Sequence, residues 1–242
     1  MKEEFRLECM TWEEVDKALL KTKTIILPFG STEEHGYHLP LSTDYLVAYE
    51  IAKRVADKNN VLVAPPICYG VCRMGRDFPG TITIGIDTLR GLVRDIVSSL
   101  YDQGFRNIII LSGHLGGAHI IGIEIEAQQI KRKYDDIKIA VIRSDRLLKK
   151  LPDGVIEDDF FGHAGEIETS LMLALAPELV KTEKSTSEIP SFPEHIVLSD
   201  PRKFMSSGII GDATKANLQK GNKILEILIQ GIVEIIKKMD EE

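Results

Sequence analysis

The sequence predicts an α/β domain whose central sheet is mostly parallel. Apolar, strand-like runs alternate with amphipathic helical stretches along the chain, as they do in successive βαβ units. The run NIIILS at 107–112 has no polar alternation, which is typical of a parallel strand covered on both faces. With 242 residues, 43% of them hydrophobic, the chain can bury a sizeable core, and we expect one domain over residues 1–242.

The elements follow in order along the chain. The predicted strands are TIILPF (24–29), VLVAPPI (61–67), the short run TITIG (81–85), NIIILS (107–112) and IKIAVIR (137–143). The predicted helices span 45–57, 87–103, 118–133, 165–176 and 212–238. Asp87 and Thr88 favour the start of the second helix, Gly104 its end, and Pro177 the end of the fourth. We expect 145–163 and 181–208 to be long loops that cover a site or make subunit contacts.

Composition argues against several classes of protein. The net charge is −7 and there is no long basic tract, so we expect no nucleic-acid partner. No apolar stretch approaches the roughly 18 to 20 residues that span a bilayer, and the N-terminus MKEEFRLECMTWEE has no apolar signal region. We therefore expect a cytoplasmic protein without membrane contact. Three cysteines are too few for a disulfide framework, and Cys68 and Cys72 have no second pair to complete a structural zinc site.

The first chemically dense segment is GSTEEHGYHLPLSTD, residues 30–44. It holds two of the six histidines, interleaved with carboxylates, directly after a predicted strand. Glu33 and His35 are two residues apart, so both side chains point to one side of an extended segment. Imidazole and carboxylate groups are the usual ligands of zinc, manganese and iron(II), so the segment predicts a metal site.

Asp44 closes this segment. Gly36 and Pro40 bend the chain, which lets Asp44 return towards Glu33 and His35. A carboxylate has two oxygens and can bridge two ions, which together activate a water and polarise a carbonyl. The alternative is a solvated loop in which Asp44 is the N-cap of the next helix.

Two further segments carry histidines. SGHLGGAH (112–119) follows a predicted strand, and FGHAGEIETS (161–170) opens a helix after a loop. Because ligands gather at the carboxyl ends of parallel strands, we expect these segments to meet the first one. Together the three segments hold His35, His38, His114, His119 and His163, and only His195 lies elsewhere.

Each of these segments has another interpretation. The glycines after His114 also suit a turn that binds phosphate at a helix N-terminus, but the P-loop lysine and the dinucleotide spacing are missing. His163 is expected to move protons or to hold a substrate beside the metal site. Glu168 is expected to assist it, whereas Glu166 favours the helix N-terminus through its charge.

The segments resemble, in the same order, the sequence blocks of the creatininase (creatinine amidohydrolase) family, which includes archaeal deformylase relatives. The blocks are LPFGSTEEHGYHLPLSTD, FPGTITI, SGHLGGAH, HAGEIETS and GIIGDATKANLQKG, and they span nearly the whole chain. The resemblance implies a three-layer α/β/α fold with a mainly parallel sheet. It also implies metal-dependent hydrolysis of a cyclic or linear amide C–N bond in a small molecule, and a homo-oligomer, often a hexamer.

The resemblance extends to individual positions. Glu33 is similar to the family's ligand of the first metal, and His35 to that of the second. Asp44 matches the bridging aspartate, and His114 matches the histidine on the first metal. His163 matches a histidine beside the substrate. Two divalent ions per subunit, Zn, Mn or Fe(II), are thus implied.

Two departures from the family pattern bear on the site. In creatininase the residue two after the metal histidine is a glutamate that completes the second metal, and here it is Gly116. The second ion is then weaker, completed by Glu168, or absent. Creatininase also surrounds its substrate with tryptophans, whereas this chain has only Trp12. The residues before His163 are instead Asp159, Phe160, Phe161 and Gly162. We therefore expect a substrate other than creatinine.

Several functions remain open at this point. The first is hydrolysis of a non-peptide amide by a metal-activated water, with His163 and Glu168 as catalytic residues and Leu115 at the substrate. The second is a formamide hydrolase for a formylaminopyrimidine nucleotide, whose phosphate would meet Arg73 and Arg76, unless these are surface or subunit-contact residues. The others are a metal-containing binding protein without turnover and a nucleotide-binding sheet protein.

Overall fold

Four parallel strands lie at the centre of the computed structural model, which describes residues 4–158 and 162–241. They are β1 (Thr24–Phe29), β2 (Leu62–Val63), β3 (Asn107–Ser112) and β4 (Lys138–Arg143). Their order in the sheet is β2-β1-β3-β4. The inner strands β1 and β3 are buried along nearly their whole length, which explains their unbroken apolar sequence. The predicted mainly parallel sheet is confirmed.

Helices cover both faces of this sheet. They are α1 (Trp12–Leu19), α2 (Thr43–Ala56), α3 (Ile86–Asp102), α4 (Gly117–Lys133), α5 (Ser144–Leu147), α6 (Glu166–Leu175) and α7 (Leu218–Glu241). Successive strand residues point to opposite faces. Ile26 and Ile109 therefore pack with α2, α6 and α7, and Ile25 and Ile108 pack with α3 and α4. The three α/β/α layers agree with the prediction.

Two predicted strands are corrected. The strand expected at 61–67 contains only Leu62–Val63, because Pro65 and Pro66 have no N–H group to donate to a ladder. The run at 81–85 is not a strand of the sheet. Ile82 and Thr83 instead form single bridges to the loops that follow β1 and β2, at Thr32 and Gly70.

Helix boundaries differ from the prediction at both ends of the chain. Helix α1 was not predicted, although Thr11 and Glu14 form a capping box at its start. The last helix begins at Leu218 and not at 212. The preceding residues are used by strand β6 (Gly211–Asp212), which pairs antiparallel with β5 (Ser187–Glu188), and by a short turn.

Where the structure describes them, the stretches predicted as long loops contain little regular structure. Residues 145–163 include most of α5 and a short 3₁₀ turn, and 181–208 include β5 and further 3₁₀ turns. Among the described helices, none is long and apolar enough to cross a bilayer. One domain over residues 1–242 stays a prediction, supported by apolar clusters on both faces of a single sheet.

Candidate metal centre

Two glycines bring the start of α2 onto the carboxyl ends of the inner strands. Gly30 directly follows β1 and Gly113 directly follows β3. A Cβ atom at Gly30 would lie 2.3 Å from the backbone nitrogen of Tyr45, and one at Gly113 would lie 2.0 Å from the carbonyl oxygen of Asp44. Only glycine permits so close an approach. Asp44 is therefore held between the two strand ends.

Asp44 faces two imidazoles. Its Oδ1 lies 3.0 Å from Nε2 of His35, and its Oδ2 lies 3.1 Å from Nδ1 of His114. Oδ2 also accepts a hydrogen bond from the hydroxyl of Ser31. The residue at the N-cap of α2 is Ser42, so the alternative in which Asp44 caps the helix is wrong. The two oxygens are placed as in a carboxylate that bridges two ions.

Backbone carbonyls determine which nitrogen of each imidazole is free. Nδ1 of His35 lies 3.0 Å from the carbonyl oxygen of Glu33, and Nε2 of His114 lies 3.1 Å from that of Val71. A carbonyl oxygen only accepts, so these nitrogens donate. The opposite nitrogens carry lone pairs when the rings are neutral, and both lone pairs face carboxylate oxygens. Such neighbours repel unless a proton or a metal ion lies between them.

Buried carboxylate oxygens and imidazole nitrogens that face each other support a cation at this position. Nε2 of His35 lies 3.0 Å from Oδ1 of Asp44, and Nδ1 of His114 lies 3.0 Å from Oε2 of Glu33, and neutral rings offer no proton for either contact. Burying ionised groups costs several kcal/mol each unless opposite charge compensates. Burial by itself lowers the pKa of His114, but Asp44 and Glu33 outweigh burial and raise that pKa well above its usual value. The residues present therefore fit divalent cations.

The potential ligands form two groups on either side of Asp44. The first ligand group consists of Glu33, Cys72 and His114, and the second ligand group consists of His35, His163 and Glu168. Within each group, one ligand atom from every residue lies within 4.8 Å of the others. The structure thus brings together all the predicted metal ligands and both predicted catalytic residues.

Glu168 supplies the carboxylate of the second ligand group, whereas Gly116 supplies no ligand. Oε2 of Glu168 lies 3.8 Å from Nε2 of His35 and accepts a hydrogen bond from the backbone N–H of Ala164 at 2.6 Å. Gly116 lies against the ring of His114, where a Cβ atom would fall 2.5 Å from Nε2. A side chain at this position would have to displace the imidazole.

His163 is fixed by Glu34. Its Nε2 lies 2.7 Å from the carbonyl oxygen of Glu34 and 3.2 Å from Oε1 of the same residue. The centre of its ring is 4.3 Å from that of His35. Burial lowers the pKa of His163, but the hydrogen bond to Glu34 and the charges of Glu33 and Glu168 raise it to about 10. His163 therefore retains a proton at neutral pH.

The other two histidines of these segments do not join the ligand groups. His38 contacts Oγ1 of Thr169 at 2.8 Å, and His119 accepts a hydrogen bond from the backbone N–H of Val71 at 3.3 Å. Burial, with a smaller contribution from neighbouring imidazoles, lowers the pKa of His38 to about 4 and that of His119 to about 3. Both rings are therefore neutral and support the surrounding loops.

A cavity of about 640 Å³ opens beside both ligand groups. Leu115 and Arg73 line it, as does Arg143 at the end of β4. Arg76 is exposed and is not one of the lining residues, so the structure does not bring it to the site. Asp159, Phe160 and Phe161 lie outside the described residues.

Glu166 and Glu168 have different surroundings although both lie in the first turn of α6. The carboxylate of Glu166 accepts hydrogen bonds from the backbone N–H groups of Glu157 and Asp158 and from Nζ of Lys220. Glu166 thus ties a loop and α7 to α6, whereas Glu168 belongs to the second ligand group.

Three residues at the centre were not predicted from the sequence. Ser31 contacts Asp44, Glu34 holds His163, and Cys72 lies in the first ligand group. For Ser31 and Glu34 the only signal was their position in the first dense segment. For Cys72 there was no local signal, because its loop reaches the centre through tertiary contacts.

An α/β protein with a parallel sheet and buried histidines and carboxylates at the sheet's carboxyl edge has the architecture of a metal-dependent hydrolase. The family model described as creatininase (creatinine amidohydrolase) matches residues 8–236. The chain therefore belongs to the creatininase family, and it is a metal-dependent amidohydrolase.

Individual relatives agree with this assignment. The chain is 32% identical to the creatinine amidohydrolase of Pseudomonas putida, with 95% of each chain covered. It is 28% identical to the mycofactocin precursor peptide peptidase of Mycolicibacterium smegmatis, over 88% of this chain and 84% of the relative.

Solved creatininases share the fold. A variant with a tryptophan-to-phenylalanine substitution superposes with a TM-score of 0.88 at 31% identity, covering 97% of this chain and 98% of the other. A creatininase described as the Mn form and a glutamine variant described as the Zn–Zn type, both 30% identical, have TM-scores of 0.85 and 0.86. Coverage is 97% of this chain for the Mn form, 98% for the Zn–Zn type, and 98% of each of those chains.

Proposed function

We propose that the enzyme hydrolyses the C–N bond of a small, non-peptide amide at a centre of two divalent ions. Glu33, Asp44 and His114 hold one ion, and His35, Asp44 and Glu168 hold the other. The observation that carries the proposal is the position of Asp44, whose two oxygens each face an imidazole lone pair. This arrangement is compensated by a cation on each side.

The protein residues position the reaction and supply a proton. Divalent ions bound here lower the pKa of a water molecule and polarise the amide carbonyl. His163, a member of the second ligand group, also lines the cavity, and its Nε2 is held by Glu34. The hydrogen bond to Glu34 favours the protonated ring, which is placed to donate a proton to the leaving nitrogen.

The cavity supports a small substrate. Its volume of about 640 Å³ lies within the range of small-molecule sites, which is roughly 300–1,000 Å³. The metal ligands form its polar end, and Val47, Ile51 and Leu171 contribute apolar surface. Leu115, next to His114 in the chain, is proposed to contact the substrate. Relatives with this fold are named for different substrates, creatinine and a precursor peptide. We therefore propose that the residues lining the cavity decide which amide substrate this enzyme accepts.

A formamide hydrolase acting on a formylaminopyrimidine nucleotide is the second candidate. Arg73 and Arg143 are among the residues that line the cavity, and guanidinium groups suit a phosphate. Arg143 also pairs with Asp145, at 3.1 and 3.0 Å, so a phosphate would compete with that carboxylate.

Whichever amide is the substrate, we also propose that the enzyme is cytoplasmic and forms a homo-oligomer. A hexamer is the oligomer that the family resemblance implies.

Elemental analysis followed by a substrate screen tests the proposal. The protein is purified without added metal, its metal content is measured, and amides and formamides are tested with the metal found. We expect two equivalents per chain and release of an amine, with formate as the coproduct if the second candidate is right. A protein without bound metal would contradict the proposal. Metal without hydrolysis of any amide would favour a binding protein.

A further inference from the structure

The thiol of Cys72 is buried at the metal centre. The residue is 1% exposed, and its Sγ lies within 4.8 Å of a carboxylate oxygen of Glu33 and of an imidazole nitrogen of His114. Cys68, in the same loop, is half-buried and belongs to neither ligand group. Cys72 is thus singled out from the other cysteines by its position.

The backbone around Cys72 is tied to the centre. Its N–H donates to Oγ1 of Thr83 at 3.0 Å, and the carbonyl of the preceding Val71 accepts from Nε2 of His114 at 3.1 Å. The thiol itself contacts the carbonyl oxygen of Gly70 at 3.9 Å, which is a weak interaction. The loop therefore presents the sulfur towards the first ligand group without engaging it strongly elsewhere.

We propose that Cys72 coordinates the ion of the first ligand group as a thiolate, an inference that rests on the proposed function. The S–H proton passes to solvent, and a sulfur electron pair goes to the metal. A second observation points to the same ligand position, because Oε2 of Glu33 is buried there and faces Nδ1 of His114 at 3.0 Å, a pair of atoms that a shared cation would satisfy.

The spacing is compatible with coordination. Two ligands of one zinc ion lie at most about 4.4 Å apart, the sum of Zn–S and Zn–N distances of about 2.3 and 2.1 Å. The ligand atoms of the first group already lie within 4.8 Å of one another, so the sulfur exceeds this limit by at most about 0.4 Å. With Glu33, Asp44 and His114, the thiolate makes four protein ligands, so the reacting water would be held by the second ion or as a fifth ligand, which zinc can accept.

A thiolate also determines which metal this chain prefers. Carboxylate and water ligands suit manganese, whereas thiolate favours zinc and other softer ions. Solved relatives exist in manganese and in zinc forms, so the fold itself accepts either. In this chain Cys72 shifts the first ion towards zinc.

Cobalt(II) substitution tests the proposal with a spectroscopic readout. Wild type and the control C68S should show a near-ultraviolet thiolate-to-cobalt charge-transfer band, and C72S should lack it. In competition experiments, the preference for zinc over manganese should fall roughly tenfold or more in C72S. A band that persists in C72S, or an unchanged metal preference, would overturn the proposal.

X-ray absorption of zinc-loaded wild type gives a test that does not depend on a variant folding. A sulfur neighbour at about 2.3 Å is expected. Bound zinc with only nitrogen and oxygen neighbours would overturn the role of Cys72 and leave the proposed function intact. Failure of the wild type to bind any metal would overturn the proposed function as well.

Discussion

Nδ1 of His114 lies 3.1 Å from Oδ2 of Asp44, although the two residues belong to different βα units. Their meeting depends on Gly30 and Gly113, which let the first turn of α2 contact the ends of β1 and β3. The parallel register pairs Phe29 with Ser112, so both strands end at the same level. The geometry of the metal centre therefore depends on the aligned ends of β1 and β3 and on glycine at positions 30 and 113.

Asp44→Ala should abolish metal binding and activity together, because both proposed ions share this carboxylate. The matched control is Asp95→Ala, since the side chain of Asp95 is 80% exposed on α3. Metal content is measured by elemental analysis and hydrolysis on the best substrate of the screen. Full activity with stoichiometric metal in the Asp44 variant would refute the two-ion arrangement.

Glu168→Gln and Glu166→Gln should have opposite effects. The first should reduce the metal content from two equivalents to one and leave the free energy of unfolding of the metal-free protein nearly unchanged. The second leaves Lys220 without its most buried partner and should cost about 3 kcal/mol of stability while both ions still bind. Denaturant titration and metal analysis of both variants check this. If Glu166→Gln lost an ion and Glu168→Gln kept both, Glu166 would be the metal ligand and the roles assigned to these two residues would be wrong.

Gly116→Ala should weaken the first ion, whereas Gly117→Ala should not. A Cβ atom at Gly116 would fall 2.5 Å from Nε2 of His114 and would push the ring away from Val71. At Gly117 nothing lies within 4 Å of the added atom. We expect roughly tenfold weaker metal affinity in the first variant. A chelator competition assay measures the metal affinity of both variants. Equal affinities would show that metal binding by His114 does not depend on glycine at position 116.

His163→Ala should reduce kcat by about 10²- to 10⁴-fold, the range for loss of a general acid. Metal content should stay at the wild-type value, because this residue is proposed to deliver a proton and not to hold an ion. Steady-state kinetics with parallel metal analysis separate the two roles. A variant that loses one metal equivalent would identify His163 as a ligand of the second ion.

The stability of the metal-free protein should fall as the pH rises above neutrality. The folded protein raises the pKa of His114 well above normal and that of His163 to about 10, against about 6.5 in an unfolded chain. A raised pKa stabilises the fold fully below about pH 6.5, and this contribution is lost as the pH rises through the folded-state value.

The stabilisation that zinc provides should instead increase with pH, because zinc displaces the proton of the ligand His114 and binds more tightly when that proton has already dissociated. Denaturant titrations at about pH 6 and about pH 9 give the free energy of unfolding with and without zinc. The difference between these two free energies should be larger at the higher pH. A difference that is the same at both pH values, or smaller at the higher one, would argue against the exchange of protons for metal at this centre.

The strands, and the meeting of most candidate ligands at one edge of the sheet, were predictable for a physical reason. A long apolar run such as 107–112 is typical of a buried strand, and polar residues directly after it lie at the sheet's carboxyl edge. Asp44 was predicted at the site but not inside the first turn of α2, because the boundary of a helix depends on its packing. The predicted length of the strand at 61–67 was too great, because the apolar run continues through two prolines and only Leu62–Val63 forms a strand.

Other features had no local signal. Glu166 and Glu168 are two positions apart on one helix, so they point to nearly opposite sides. The side that faces the metal centre is decided by how α6 packs against α7, which the sequence alone does not state. Cys72 likewise reaches the centre through the bridge between Gly70 and Thr83, a contact without a sequence pattern.

Glu168 lies on α6, in the C-terminal part of the fold, whereas His35 belongs to the loop after β1. Helix α6 packs along α7 on one face of the sheet. The proposed ion between His35 and Glu168 would join these two parts of the fold. Removing it should therefore speed amide exchange in α6 and α7, a measure of metal occupancy that requires no substrate.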